Sequence, residues 1–195
     1  SSSHLRHTSA WVAAERRSQF LLSMSDELRT LRTPAEITRA ASVRLGEWLG
    51  ASRVFYAEID HGMMTVTDDY HHGVATIVGR HSLVSFGDDL LNAYQIGTPV
   101  VVRDVPDDDR LSDGARAGLT DRQVGAFIDV VLFEGEQWVG LLAVQSATPR
   151  AWTPAEESLV QEVGERVKSA IERARAELAL RELNETLEAQ VALRS

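Results

Sequence analysis

The sequence predicts an α+β fold in which a central antiparallel sheet is flanked by helices. Two helix starts bracket the central region, Thr33-Pro34-Ala35-Glu36 and Thr153-Pro154-Ala155-Glu156. In each, the Thr side chain can cap the helix, Pro suits the first helical position, and Glu can complete a capping box. The region between them is rich in strand formers. Because the two helices share nothing beyond the tetrapeptide, we interpret them as flanking elements and reject an internal repeat.

Two hairpins dominate the predicted sheet. The first joins residues 54–59 to residues 63–67 through Asp60-His61-Gly62, and the second joins residues 126–133 to residues 138–144 through an acidic turn. Between them, residues 82–86 alternate like a strand, Asp88 can cap a short helix ending near Gly97, and residues 100–102 return to strand. We therefore expect five or six strands, with short helices on a crossover and the terminal helices covering one face.

Composition limits the classes of function. With 195 residues and 44% hydrophobic content, the chain can bury one domain core. A formal net charge of −9 argues against a nucleic-acid partner. The sequence contains no cysteine, which excludes disulfides and thiolate catalysis. No run is long and apolar enough for a membrane span, and no secretion signal is evident, so we expect a cytoplasmic protein.

Several stretches resemble a GAF domain of the type found before the catalytic module of bacterial sensor histidine kinases. The resemblance covers about residues 20–190 and is carried chiefly by residues 97–105, by the hairpin at residues 133–140 and by residues 149–154. It implies a PAS-like sheet of five or six strands whose crossover side can hold a small molecule. The domains expected are a disordered lead (1–8), a signalling helix (9–32), the GAF core (33–152) and a long helix (153–195).

The resemblance leaves the ligand open, and the residues narrow the choice. Covalent bilin attachment requires a cysteine, so the chain is not expected to carry one, although a noncovalent tetrapyrrole stays as an alternative. The residues typical of cyclic-nucleotide GAF domains are absent, and relatives that reduce methionine sulfoxide use cysteines. No cofactor is evident, and an unknown small molecule is the expected ligand. We propose a pocket under the crossover formed by Tyr56, Phe86, Leu90, Tyr94, Asp104 and Phe127.

No metal site and no catalytic site are predicted. His71 and His72 would point to opposite faces of a strand, so these residues, together with His61 and His81, are assigned to turns and rims. The acidic run 104–113 lacks the Gly and Glu of a calcium loop and is interpreted as solvated. The chain offers no phosphate-binding Gly-rich loop, and Asp26 stands where a phosphoacceptor box would need His. We expect no enzyme activity from this chain.

The helices are the expected relay elements. Leucines and a methionine repeat at coiled-coil spacing before residue 33, and the last helix is longer than a domain of this size can cover. Its apolar stripe slips in phase between Ala174 and Leu180. We predict a parallel homodimer that passes a signal to a downstream kinase or other effector module in the same full-length chain. The residues assigned to the dimer and relay are Leu21, Met24, Leu28, Leu31, Val167, Ala170, Ala174, Leu180, Leu183 and Leu187. The alternative is a ligand-free relay module with a filled core.

Overall fold

The computed structural model describes residues 2–195 and confirms the α+β class. Within that range the helices are α1 (Ser2–Thr30), α2 (Pro34–Leu49), α3 (Asp88–Ile96), α4 (Asp113–Asp121) and α5 (Pro154–Arg194), with a 3₁₀ helix at Leu83–Phe86. The strands are β1 (Arg53–Asp60), β2 (Met63–Val66), β3 (Asp69–His71), β4 (Gly79–Ser82), β5 (Val100–Val102), β6 (Ala126–Glu134) and β7 (Gln137–Ser146).

The strands form one antiparallel sheet in the order β4-β2-β1-β7-β6-β5, with short β3 also paired to β1. Both predicted hairpins are present as β1–β2 and β6–β7. The sheet has seven strands in the described range, whereas five or six were expected, because the three-residue β3 continues the β1 edge beyond β2.

Two layers of apolar side chains cover the two faces of the sheet. Helices α2 and α5 pack on one face, and α1 packs against these two helices. The residues of this core include Met24, Ile37, Leu45, Val160 and Val163. The crossover segment with α3, α4 and the 3₁₀ helix packs on the other face. The terminal helices therefore cover one face, as predicted, and the crossover covers the second.

Two local predictions are wrong. Residues 83–86 form a 3₁₀ turn, because Leu83 and Phe86 are three residues apart and pack toward the core while Val84 is 80% exposed. Residues 2–8, expected to be a disordered lead, belong to α1, which continues as a regular helix from its buried C-terminal third to Ser2. The side chains of residues 2–16 are exposed, so the apolar pattern used for the prediction carried no signal there.

The two TPAE segments cap their helices differently. At α5, Thr153 Oγ1 accepts from the Glu156 N–H at 3.1 Å and Glu156 Oε1 accepts from the Thr153 N–H at 2.9 Å, which closes the capping box. At α2, Thr33 Oγ1 accepts from the Glu36 N–H at 3.2 Å, but the Glu36 carboxylate accepts from the Arg32 N–H. Only the first of the two bonds in the predicted box is present at α2.

We expect Thr153→Ala to lower the free energy of unfolding by about 1 kcal/mol, because one donor of the first turn loses its acceptor. Thr153→Ser keeps the hydroxyl and is the control. Urea unfolding of both variants measures the difference. Equal losses for Ala and Ser would show that the methyl group, and not the cap, stabilises this turn.

Candidate functional site

The crossover side of the sheet holds a small cavity of about 30 Å³. Three of the predicted pocket residues, Phe86, Leu90 and Tyr94, line it. The rest of the lining comes from the sheet, the loop before β4 and the segment around the end of α4: Phe55, Met64, Ile77, Leu119, Arg122, Val124, Asp129, Leu141 and Gln145. The volume is enough for one or two water molecules in the arrangement described.

The polar end of this cavity is a carboxylate that the sequence reading missed. Asp129 lies in the middle of β6 and is buried, and its Oδ2 accepts a hydrogen bond of 2.5 Å from the Tyr94 hydroxyl. Its Oδ1 has no hydrogen-bond partner among the described residues. Burial raises the pKa of Asp129 to about 7, and the hydrogen bond from Tyr94 acts in the opposite direction. Burial, followed by the charge of Asp129, raises the pKa of Tyr94.

Tyr94 is buried and packs against its neighbours. Its ring packs against Trp138, with 5.2 Å between ring centroids, and Trp138 Nε1 donates to the Gly140 carbonyl at 2.8 Å. Helix α3 therefore contributes a fixed hydroxyl to the sheet. The Tyr94–Asp129 hydrogen bond joins helix α3 of the crossover to β6. A change in the charge or position of the Asp129 side chain can therefore affect both elements.

A buried arginine supports one wall of the cavity. Arg53 Nη1 donates to Gln145 Oε1 at 2.7 Å and to the Arg122 carbonyl at 3.0 Å, while Nη2 donates to the Ala75 carbonyl at 2.6 Å. Burial lowers the pKa of Arg53, and the nearby charge of Asp69 acts to raise it. This guanidinium joins the sheet to the loop before β4 and to the end of α4.

Asp69 fixes the same loop from the next strand. Its carboxylate accepts from the Ile77 N–H at 2.7 Å and from the Thr76 hydroxyl at 3.0 Å. Its Oδ1 also lies 2.9 Å from His71 Nδ1. Together with Arg53, this carboxylate holds residues 75–77 against the sheet edge, which places Ile77 in the cavity lining.

The remaining predicted pocket residues lie elsewhere. Tyr56 is on the opposite face of the sheet, packed against the helix-side core, because it alternates with the crossover-side residues Phe55 and Ala57 along β1. Asp104 lies in the acidic loop after β5, beside Arg103 and Asp107. Phe127 is on the expected face and 1% exposed, but it fills the core next to the cavity and does not line it.

The histidines singled out in the sequence occupy turns and edges. His61 adopts a left-handed conformation (φ 48°) in the β1–β2 turn, and His81 Nε2 lies 2.8 Å from the Ile77 carbonyl. Within residues 2–195, no group of three or more His, Asp or Glu side chains is arranged to hold a metal ion.

The predicted relay residues separate into two groups. Seven of them lie against the helix-side core of the same chain: Leu21, Met24, Leu28, Leu31, Val167, Ala170 and Ala174. Six of these are buried, and Leu31 is partly buried, so they are not free to pack along a partner molecule as proposed. Leu180, Leu183 and Leu187 are 59%, 55% and 49% exposed on the distal part of α5.

Comparison with solved structures shows which proteins share this architecture. The chain superposes on the chromophore-binding domain of an unusual bacteriophytochrome from R. palustris with a TM-score of 0.73, at 11% identity, covering 83% of this chain and 63% of that one. A phycocyanobilin-bound GAF domain from a cyanobacterial phytochrome gives a TM-score of 0.72, at 15% identity, covering 83% and 96%.

An enzyme has the same fold. The free methionine-R-sulfoxide reductase from Neisseria meningitidis, solved with its substrate, gives a TM-score of 0.65 at 16% identity, covering 82% of this chain and 90% of that one. At such identities the likeness concerns the fold alone. No curated protein matches the chain significantly. No helix within residues 2–195 is both long and apolar enough to cross a membrane.

Family membership rests on the sequence model that the chain matches. The model for the GAF domain aligns with residues 33–171, which begin at the cap of α2 and end within the part of α5 that packs on the helix-side core. This range contains the whole sheet, the crossover and the cavity with Asp129. The chain belongs to the GAF domain family.

Proposed function

We propose that this protein is a sensory, regulatory GAF module that binds a small molecule on the crossover side of its sheet and relays the signal through dimeric terminal helices. The relay proposal is supported mainly by the arrangement of α1 and α5, which run parallel and side by side. Arg17 Nη2 donates to Ser158 Oγ at 3.0 Å near the start of α5, and Arg166 Nε donates to Ser25 Oγ at 3.1 Å two turns later.

The contact continues to the end of α1. Arg173 Nη2 donates to the carbonyl oxygens of Leu28 and Leu31 at 3.0 and 3.1 Å, so α5 supplies a side-chain donor to backbone acceptors at the end of α1. Because both helices run in the same direction, the exposed part of α1 and the exposed part of α5 project from opposite ends of the domain. A displacement that enters along α1 can therefore leave along α5.

The pocket is connected to α5 through a single strand. Along β6, Asp129 faces the cavity while Ile128 and Val130 face the terminal helices. Val130 packs closely on Gly164 of α5, where a Cβ atom would lie 3.0 Å from Val130 Cγ1. A shift of β6 driven by the pocket would therefore act directly on the helix that leaves the domain. A ligand can drive this shift only if it binds two arrangements with different affinity.

A second copy of the chain is the proposed partner of the distal part of α5. Every side chain from residue 175 onward is exposed, which leaves about 30 Å of helix without a covering element. Leu180, Leu183, Leu187 and Val191 form one stripe on this segment, at the spacing of a coiled-coil seam. In a parallel dimer the two stripes would pack on each other and both effector modules would follow at the same end.

The dimer is tested by placing charges in the stripe. We expect Leu180→Glu, Leu183→Glu and Leu187→Glu combined to convert the dimer into a monomer, because six carboxylates would face each other across the seam. Sedimentation velocity at several protein concentrations measures the state. The expected loss of dimer affinity is at least 100-fold.

The matched control adds three carboxylates to the opposite side of the same helix segment. Leu178→Glu, Ala189→Glu and Ala192→Glu lie roughly half a turn from the stripe at 100° per residue. This variant should remain dimeric. A monomeric native chain, or equal loss of dimer in both variants, would contradict the proposed seam.

We infer that the effector is a histidine kinase module in the same full-length chain. The support is the resemblance of residues 97–105, 133–140 and 149–154 to GAF domains that precede such modules, together with the long helix that leaves the domain. A fusion in which α5 continues in heptad register into a kinase module should show autophosphorylation. That activity should change when one residue is inserted in the linker, since the insertion rotates the following helix by about 100°.

Two alternatives predict different measurements. A noncovalent tetrapyrrole photosensor is favoured by the bilin-bound structures of the same fold, but it requires the crossover to open, because the cavity measures about 30 Å³. Red-shifted absorption of biliverdin on mixing with the protein would support it. A ligand-free relay predicts an intact dimer whose melting temperature responds to no small molecule.

A further inference from the structure

The Asp129 carboxylate has no cationic partner in the part of the chain that the structure describes. Tyr94 is its only hydrogen-bond partner among residues 2–195, and Oδ1 is buried without one. Its raised pKa is accounted for by burial, with Tyr94 opposing, and no neighbouring cation contributes. Buried carboxylates are almost always paired or fully hydrogen-bonded, because burying an uncompensated charge is costly. An occupant that brings positive charge and N–H donors would complete this site.

The space beside Asp129 has the chemistry of a small ammonium site. Asp129 and Tyr94 lie at its polar end, and Phe55, Phe86 and Met64 are among its walls. The Tyr94 hydroxyl donates its hydrogen to Asp129, and its oxygen keeps a lone pair that can accept a hydrogen bond. Aromatic walls attract a cation over the ring face. The cavity of about 30 Å³ has room for only a few heavy atoms unless the crossover moves.

We propose that this cavity binds the ammonium group of a small primary amine, with Asp129 Oδ1 as the anionic acceptor and Phe55, Phe86 and Met64 enclosing a short alkyl part. The inference deepens the proposed sensory function and rests on it. A metal ion fits the site poorly, because hard cations take six or more oxygen ligands and the lining contains a single carboxylate.

Three other groups affect the charge at this site. Arg122 lines the cavity but is only partly buried, so solvent screens its charge more than that of Asp129. Gln145 also lines the cavity, and its side-chain oxygen accepts a hydrogen bond from Arg53. Arg53 is buried on β1, the strand next to β7, which carries Gln145. Neither arginine is within ion-pair distance of Asp129 in the described range. Amine binding needs the ionised carboxylate and should therefore be stronger at pH 8 than at pH 6.

Methylammonium chloride is the probe. Titration into the native protein at pH 8, followed by thermal melting and by amide chemical shifts, should give a saturable response that potassium chloride and tetramethylammonium chloride at equal concentration do not give. The melting temperature rises on binding because the amine binds only the folded state. The amides of β6 and α3 should shift first. At pH 6 the apparent dissociation constant should be several-fold larger.

Asp129→Asn should weaken methylammonium binding at least tenfold while keeping an acceptor for Tyr94. Asp104→Asn is the matched control, since Asp104 is a carboxylate in the loop outside the cavity, and it should bind like the native protein. Circular dichroism and the native-like amide spectrum establish that both variants are folded. Two outcomes would overturn the proposal: equal methylammonium binding by Asp129→Asn and the native protein, or a response of the native protein to methylammonium no larger than its response to potassium chloride. Either outcome would indicate that a proton or a water molecule is the partner of Asp129.

The test separates the ligand from the relay. The stripe variant Leu180→Glu, Leu183→Glu and Leu187→Glu should bind methylammonium with unchanged affinity, because the stripe lies outside the cavity. A native dimer that ignores methylammonium would overturn the amine site and leave the relay standing. A monomeric native chain that binds methylammonium through Asp129 would overturn the dimeric relay and support the amine site.

Discussion

Replacing Asp129 by Asn is expected to remove a large, pH-dependent destabilisation from the folded protein. The pKa of Asp129 is raised by burial to about 7 in the folded state, against an ordinary value of about 4 for an unfolded chain. Between these values the folded protein carries the proton and the unfolded chain does not. Folding therefore takes up one proton in this window, and the free energy of unfolding falls as the pH rises.

The size of the effect follows from the width of the window. Each pH unit between about 4 and 7 lowers the contribution of Asp129 to stability by about 1.4 kcal/mol, which sums to about 4 kcal/mol and changes little above pH 7. Asn cannot ionise, so this contribution is absent from the variant. Urea unfolding measures the free energy of unfolding of both proteins from pH 4 to pH 8. The difference between Asp129→Asn and the native protein should shift by about 4 kcal/mol in favour of the variant over this range.

A second variant tests the cause of the shift. Tyr94 stabilises the ionised carboxylate through its hydrogen bond, which opposes the effect of burial on the Asp129 pKa. Tyr94→Phe removes that bond and should raise the pKa of Asp129 further, so the stability of this variant should keep falling above pH 7. A flat difference between Asp129→Asn and the native protein across the whole window would mean that Asp129 remains ionised and hydrated in the fold.

Asp129 was not predicted as a pocket residue, and the reason shows what the alternation of side chains along a strand can and cannot predict. Phe127 was assigned to the crossover face, and Asp129, two residues further along the same strand, had to face the same way. A charged residue inside the apolar run of β6 was the available signal. The sequence does not reveal that Tyr94 is its partner, because that contact spans 35 residues and depends on how the crossover folds.

Tyr56 and the α1 seam illustrate a different limit. Strand periodicity divides β1 into two faces but does not say which one the crossover covers, so Tyr56 was placed on the wrong side. The spacing of Leu21, Met24 and Leu28 correctly indicated a packed helix, yet the same spacing serves contacts within one chain and between two chains. Packing on the chain's own helices α2 and α5 accounts for these residues.

The phase slip in α5 was informative because it has a structural cause. Up to Ala174 the apolar residues face the sheet and α1, and from Arg175 onward every side chain is exposed. A new stripe begins at Leu180, where the helix no longer contacts its own domain. Helical periodicity thus located the boundary at which this helix changes from packing on its own core to presenting a free surface.

Arg53→Met is expected to lower the free energy of unfolding by about 3 to 5 kcal/mol, because each buried acceptor left without its donor costs about 1 to 3 kcal/mol. Arg53 is 1% exposed, and its guanidinium serves the Ala75 and Arg122 carbonyls and the Gln145 amide oxygen. Met fills much of the volume but donates nothing, so buried acceptors lose their donors. Urea unfolding measures the loss, and Arg39→Met is the control.

The Arg39→Met control distinguishes the effect of removing a buried arginine from the effect of removing a positive charge at the surface. Arg39 pairs with Asp68 at 2.7 Å with both side chains solvent-accessible, and such surface pairs contribute less than about 1 kcal/mol. Arg53→Lys should be intermediate, because one ammonium keeps the charge but cannot reach three acceptors in the geometry of the fork. Amide hydrogen exchange should accelerate first at residues 75–77, which Arg53 and Asp69 hold against the sheet. A loss at Arg53 no larger than at Arg39 would show that the loop before β4 is held by Asp69 alone, and that the cavity wall does not depend on the guanidinium.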